Sequence, residues 1–99
     1  MTDANQEFDA THPSGQVLFR SCRGGFLHSV ALAEAALTAD ASTLAEAILR
    51  TAEVSHLRAL MEVRDEILAS GHTPSEAVPT PADLRAATAR LADHDLFAE

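Results

Sequence analysis

From Ser42 to about Ala69 the chain runs for about 28 residues without glycine or proline, in a composition dominated by Ala, Leu, Glu and Arg. Such a stretch propagates as one α-helix, about 42 Å long at 1.5 Å rise per residue. A chain of 99 residues cannot enclose so long a rod in a core of its own. The rest of the fold must lie along it, and part of the rod must face something else.

The pattern of large apolar residues sharpens that expectation. Placed at 100° per residue, Leu44, Ala45, Ile48, Leu49 and Ala52 cluster around one direction in the first half. Val54, Leu57, Leu60, Met61, Ile67 and Leu68 cluster roughly 140° further round, above the side where Glu46, Arg50 and Glu53 sit. Either the helix bends near Thr51 to Val54, or its halves pack on different partners. No Gly or Pro marks a kink, so the second reading is preferred: the first half on its own sheet, the second on a neighbour. A second copy of the chain is the expected cover, with Val54, Leu57, Leu60, Met61, Ile67 and Leu68 as the dimer interface. The alternative is that residues 82–96 fold back over the same stripe.

Upstream, Gln16 to Cys22 alternates as a half-buried strand, with Val17 and Phe19 on one side and Leu18 and Arg20 on the other. Arg23-Gly24-Gly25 has the chemistry of a tight turn, and Phe26 to Leu32 alternates again, so residues 16–33 read as a β-hairpin. Ala33 to Ala39 is expected to prolong the strand briefly and then loop, because Asp40-Ala41-Ser42-Thr43 looks like a fresh helix start capped by Asp40 or Ser42. Residues 1–15 are polar and end in the turn-like His12-Pro13-Ser14-Gly15. They are expected to be largely mobile, with Glu7 to Thr11 able to add an edge strand.

Downstream, Gly71 stops the long helix, and Pro74, Pro79 and Pro81 keep residues 72–81 extended as a linker. Thr80-Pro81-Ala82-Asp83 then signals a capped helix over residues 82–96, with Leu84, Ala87, Leu91 and Leu96 as a thin apolar stripe. The expected fold is α+β: a small antiparallel sheet packed on one long helix, plus a short C-terminal helix. Residues 16–71 would form its core.

Charge and residue chemistry exclude much. Fifteen acids face seven bases, all of them Arg, for a net charge of -8. That balance repels polyphosphates and anionic lipid. A single cysteine, Cys22, precludes an intrachain disulfide, and no His or Cys pair stands at zinc-ligand spacing. The five histidines are scattered, and His28, on a strand, is the one expected to be buried. Neither Cys22 beside Arg23 nor the set Ser21, Ser29 and His28 comes with an oxyanion donor or a third catalytic group, so no enzyme, cofactor or metal is expected. Gly24-Gly25 sits between two strands rather than opening a helix, which removes the phosphate-loop reading. No run approaches the ~20 apolar residues of a membrane span, and Met1-Thr2-Asp3-Ala4-Asn5 lacks a signal peptide's basic and apolar regions. A cytoplasmic location is expected.

The order of these elements resembles a known family. Gly15-Gln16-Val17, a strand, Gly24-Gly25, a strand carrying His28-Ser29-Val30-Ala31-Leu32, a loop with Asp40 and a long helix opening Leu44-Ala45-Glu46-Ala47-Ile48 are similar to the YbaB/EbfC family of nucleoid-associated proteins. They are closest to the divergent YbaB-like segments of mycobacterial secretion-associated Esp proteins. The resemblance spans about residues 15 to 70, and it implies a homodimer in which the sheets and helices of two subunits meet. The basic N-terminal helix of DNA-binding members is missing, so DNA binding does not carry over. The Ala- and Arg-rich, Lys-free composition also resembles that of a high-GC actinobacterium. The expectation is therefore a non-enzymatic homodimeric interaction module, an accessory or chaperone-like factor of a secretion system, partnered by itself and another protein. The alternative is a nucleoid-associated protein contacting DNA through Arg20 and Arg23.

Overall fold

A computed structural model describes residues 8–22 and 27–97, and it has the expected α+β architecture. Three antiparallel strands, β1 (Phe8–Thr11), β2 (Val17–Ser21) and β3 (Leu27–Leu32), stand in the order β1-β2-β3. Helix α1 (Ala41–Ala69) crosses one face of the sheet, and α2 (Pro81–Ala92) packs on α1. The glycine turn at residues 23–26 lies outside the described residues.

Register decides which side chains face the helix. Ala10 pairs with Phe19 and Phe19 with Val30, while Val17 pairs with Leu32, so these five share the α1 side. Asp9, Arg20 and Ser29 form a row on the opposite, solvated face. A register shift between Arg20 and Ser21 brings Leu27 opposite Ser21.

Residues 8–15 are more regular than their polar composition implies. Phe8–Thr11 is a paired strand, and the following turn is closed by His12 N–H to Val17 O at 2.9 Å and Gly15 N–H to His12 O at 2.8 Å. Gly15 takes φ 75°, a backbone conformation that glycine adopts without steric cost. Residues 8–11 thus belong to the sheet and residues 12–15 form the turn into β2, while residues 1–7 lie outside the described residues. The expectation for Ala33 to Ala39 is also corrected: Glu34–Thr38 is a 3₁₀ turn, because coiling there sinks Ala36 fully into the core.

Both helices begin and end as their local chemistry dictates. The Asp40 carboxylate accepts from Thr43 N–H at 3.3 Å and from the Ser42 hydroxyl at 2.6 Å. Those bonds, the Ser42 one first, hold its carboxyl below the usual range. At the other end Gly71, with φ 83°, donates to Leu68 O and His72 N–H to Ile67 O, the paired bonds that close a helix on a left-handed glycine. Thr80 and Asp83 cap α2 reciprocally.

What seats α1 on the sheet is a row of small residues. Ala47, Thr51, Ser55 and Ala59, four apart, are all fully buried. Small side chains on one helical face let the backbone come close to the strands. Of the large residues expected on the sheet side, Leu44 and Ile48 are half-buried, but Leu49 is 70% exposed.

Two apolar clusters result. Val17, Ala36, Ala47 and Leu96 form one, flanked by Leu44 and Ile48; Ala10, Val54, Leu57, Ala87 and Leu91 form the other, flanked by Leu84. The second cluster corrects the preferred cover for the middle of α1. Val54 and Leu57 are enclosed by β1 and α2 of the same chain, since α2 folds back antiparallel and presents Leu84, Ala87 and Leu91. Arg50 donating to Arg90 O at 2.9 Å and the Arg90–Glu53 ion pair fasten that packing.

Candidate functional site

The residues expected at a dimer interface divide into two groups. Val54 and Leu57 are spent inside the chain. Leu60, Met61 and Ile67 are half-buried and Leu68 is 51% exposed, all beyond Ala59, the last residue of α1 that is buried. About ten residues, or roughly 15 Å of helix, follow Ala59. For nucleic acid the expected contacts were Arg20 and Arg23. Arg20 Nε lies 3.2 Å from Asp9 Oδ1 across the strand pair, and Arg23 falls outside the described residues.

The nucleophile set Ser21, Ser29 and His28 is not assembled. Ser21 faces α1 and is buried, whereas Ser29 sits on the opposite face, and the His28 side chain lies outside the description. Ser55 Oγ donates to Phe8 O at 2.5 Å, so the Ser21 hydroxyl must be the donor in its 2.7 Å bond to Ser55 Oγ. Both hydroxyls are spent on holding α1 to β1 and β2. Cys22 is half-buried at the end of β2.

A site that the sequence did not announce joins the two ends of the fold. His12, which follows β1, is buried. Ser14 N–H donates to its Nδ1 at 3.0 Å, which leaves the ring proton on Nε2 to be donated to His94 Nδ1 at 2.9 Å. His94 then keeps its proton on Nε2, 3.8 Å from Glu46 Oε2. Burial first, then the neighbouring His94 ring, hold His12 below the usual imidazole range, against a raising pull from Asp95. Glu46 is held below the usual carboxylate range by its hydrogen bond to Arg50 first and by the Arg50 charge second.

This relay borders an open pocket of about 510 Å³ whose lining includes Pro13, Asp93 and Asp95. It is a poor chelate. The ring centroids are 5.1 Å apart at a nitrogen separation of 2.9 Å, so each ring points its nitrogen at the other. A metal between collinear nitrogens would need about 4 Å. Among the described residues no three His, Cys, Asp or Glu groups are placed to hold a metal ion. What the pair does is fasten the segment after α2, whose Leu96 fills the cluster with Val17 and Ala47.

The sheet's two edges are unlike. Along the α1 side of the sheet, burial falls across one row of paired residues: Ala10 is 2% exposed, Phe19 half-buried, Val30 46% exposed. In the neighbouring row Val17 is fully buried and Leu32 is 39% exposed. Helix α1 lies over β1 and β2 and leaves the β3 end of both rows open. Leu37, just past β3, is also exposed. Among the described residues no strand pairs with the outer side of β3, and no helix is long and apolar enough to cross a membrane.

A family model described as a protein of unknown function (DUF2694) matches residues 1–97. The Uncharacterized protein Rv0028 of Mycobacterium tuberculosis (strain ATCC 25618 / H37Rv) is 64% identical over 96 residues, covering 97% of this chain and 95% of the relative. The Uncharacterized protein Mb0029 of Mycobacterium bovis (strain ATCC BAA-935 / AF2122/97) is similar to the same degree and over the same shares. No solved structure matches.

Proposed function

We propose, from the premise that this chain belongs to the DUF2694 family of proteins of unknown function, that it is a non-enzymatic interaction module that works as a homodimer. One observation carries this reading: the chain leaves large apolar side chains open, among them Val30, Leu32, Leu37, Leu49 and Leu68, each at least 39% exposed. Where such side chains adjoin, as Val30 and Leu32 do on β3, a partner stabilises them, and the simplest partner is a second copy. The buried hydroxyls and the histidine relay are engaged in holding the fold, which is consistent with a binding rather than a catalytic role. A role as accessory or chaperone-like factor of a secretion system is a narrower form of the same reading, supported by the YbaB-like order of elements over residues 15–70 alone. The DNA-binding alternative draws less support, since Arg20 faces Asp9 and the net charge is -8.

Sedimentation equilibrium across micromolar concentrations tests the proposal. The expected mass is twice the 10.5 kDa of one chain. A particle of single-chain mass at every concentration would sink it. Tight binding to duplex DNA that weakens steeply with added salt would favour the alternative instead.

A further inference from the structure

We propose that β3 is the contact, and that two copies join edge to edge and antiparallel through it into one continuous six-stranded sheet. This rests on the self-association proposed above and names its surface.

Backbone direction comes first. Ala33 N–H donates inward to Gln16 O at 2.8 Å. Hydrogen-bonding groups alternate inward and outward along an antiparallel strand, so those of Ala31 and Ser29 also point to β2, and those of Val30 and Leu32 point out of the sheet. Val30 and Leu32 are the same two residues whose side chains emerge from under α1. Backbone groups that no described strand pairs and uncovered apolar side chains therefore coincide on one short strip.

Charge selects the occupant. The residues of β3, Leu27–Leu32, include no Asp, Glu, Lys or Arg, in a chain of net charge -8. Two acidic copies can meet there without carboxylate facing carboxylate, which is not so along β1, where Asp9 sits. The strand also lacks the proline or inward-pointing charge that commonly blocks edge pairing. A two-fold axis normal to the sheet places both α1 helices on the same side. Val30 and Leu32 of each copy then line the floor of the space between them, and each strand satisfies the other's outward groups.

The test is hydrogen exchange and sedimentation on the intact protein. The amides of Val30 and Leu32 are expected to exchange slowly at high protein concentration and to lose that protection on dilution, in step with dissociation. Val30→Lys should leave far-ultraviolet circular dichroism unchanged, because the side chain is half exposed. It should weaken dimerisation at least about tenfold, since the charge enters twice across the axis. Should that variant misfold, Leu32→Lys and the wild-type exchange pattern carry the test. Leu60→Asp should leave the dimer intact. A dimer that ignores both lysine substitutions, or that Leu60→Asp dissociates instead, overturns the β3 contact while self-association stands. A monomer at every concentration overturns both, and protected Val30 and Leu32 amides in a monomer show that the chain covers its own edge, which also overturns the contact.

Discussion

The two edges of this sheet receive opposite treatment from one helix. Along β1, α1 reaches down with Ser55 to Phe8 O and with Arg58 to Asp9 O, and the paired residue Ala10 is sealed beneath Val54 and Leu57. Along β3, among the described residues, α1 makes no comparable packing, and Val30 and Leu32 of the same rows are exposed. Edge protection here is therefore not a property of the strands alone. It follows from where a helix seated by small residues happens to lie.

The largest expected effect comes from moving that seat. Ala47→Leu puts a branched side chain where α1 meets the sheet and should cost about 3 kcal/mol, at the upper end of overpacking penalties. Leu49→Ala, on the exposed side, should change stability by less than about 0.5 kcal/mol. Urea denaturation compares them, and equal losses would mean that the small row does not seat the helix.

Next in size is the guard itself. Ser55→Ala leaves the buried Ser21 hydroxyl without its acceptor and removes one donor from the half-buried Phe8 O, for about 1–3 kcal/mol. Amide exchange in β1 should quicken more than in β3. If β3 responds equally, the edges are coupled through the sheet and the contrast is weaker than drawn.

Mild acidification acts on the β1 end through His12. His12 binds its proton less readily in the fold than in the open chain, so the unfolded state takes up more protons as pH falls. The stability that this represents is complete above the ordinary imidazole value of 6.5 and is lost progressively as pH falls through and below it. Asp40 and Glu46, with lowered carboxyls, act only in the more acidic carboxylate window. The thermal midpoint should therefore drop between about pH 7.5 and pH 5.5, with much of the slope removed in His12→Gln. An unchanged slope in that variant would assign the titration to another group.

The smallest effect is at the bare edge. Val30→Thr should alter the stability of the single chain by less than about 0.5 kcal/mol, measured on dilute protein. A cost comparable with Ser55→Ala would show that β3 is covered after all.

Local chemistry was enough to read the hairpin, both helices and their caps, because Asp40, Gly71, Thr80 and Asp83 act within four residues of their targets. The possible edge strand at Glu7 to Thr11 is there as Phe8–Thr11. What escaped was set by packing between distant parts. Counting large apolar residues hid the row Ala47, Thr51, Ser55 and Ala59, which a search for small residues four apart would have found. The apolar positions from Val54 onward begin with two, Val54 and Leu57, that Leu84, Ala87 and Leu91 of the same chain cover, in line with the alternative that residues 82–96 fold back. Composition marks Leu84, Ala87 and Leu91 as a docking face but does not say where it docks. The His12–His94 bond joins residues 82 positions apart, and no spacing rule reaches that far.

The guard on β1's outer edge is written far downstream of what it guards: Arg58, which donates to Asp9 O, lies 49 residues after it. In the order of synthesis, then, the hairpin is complete while both of its flanks are still open, and the nascent chain is adhesive on two sides. Emergence of α1 closes one of them. The other, along β3, is not closed by α1, so the helix that ends the chain's risk of mispairing on one flank also decides which flank the proposed pairing would have to use.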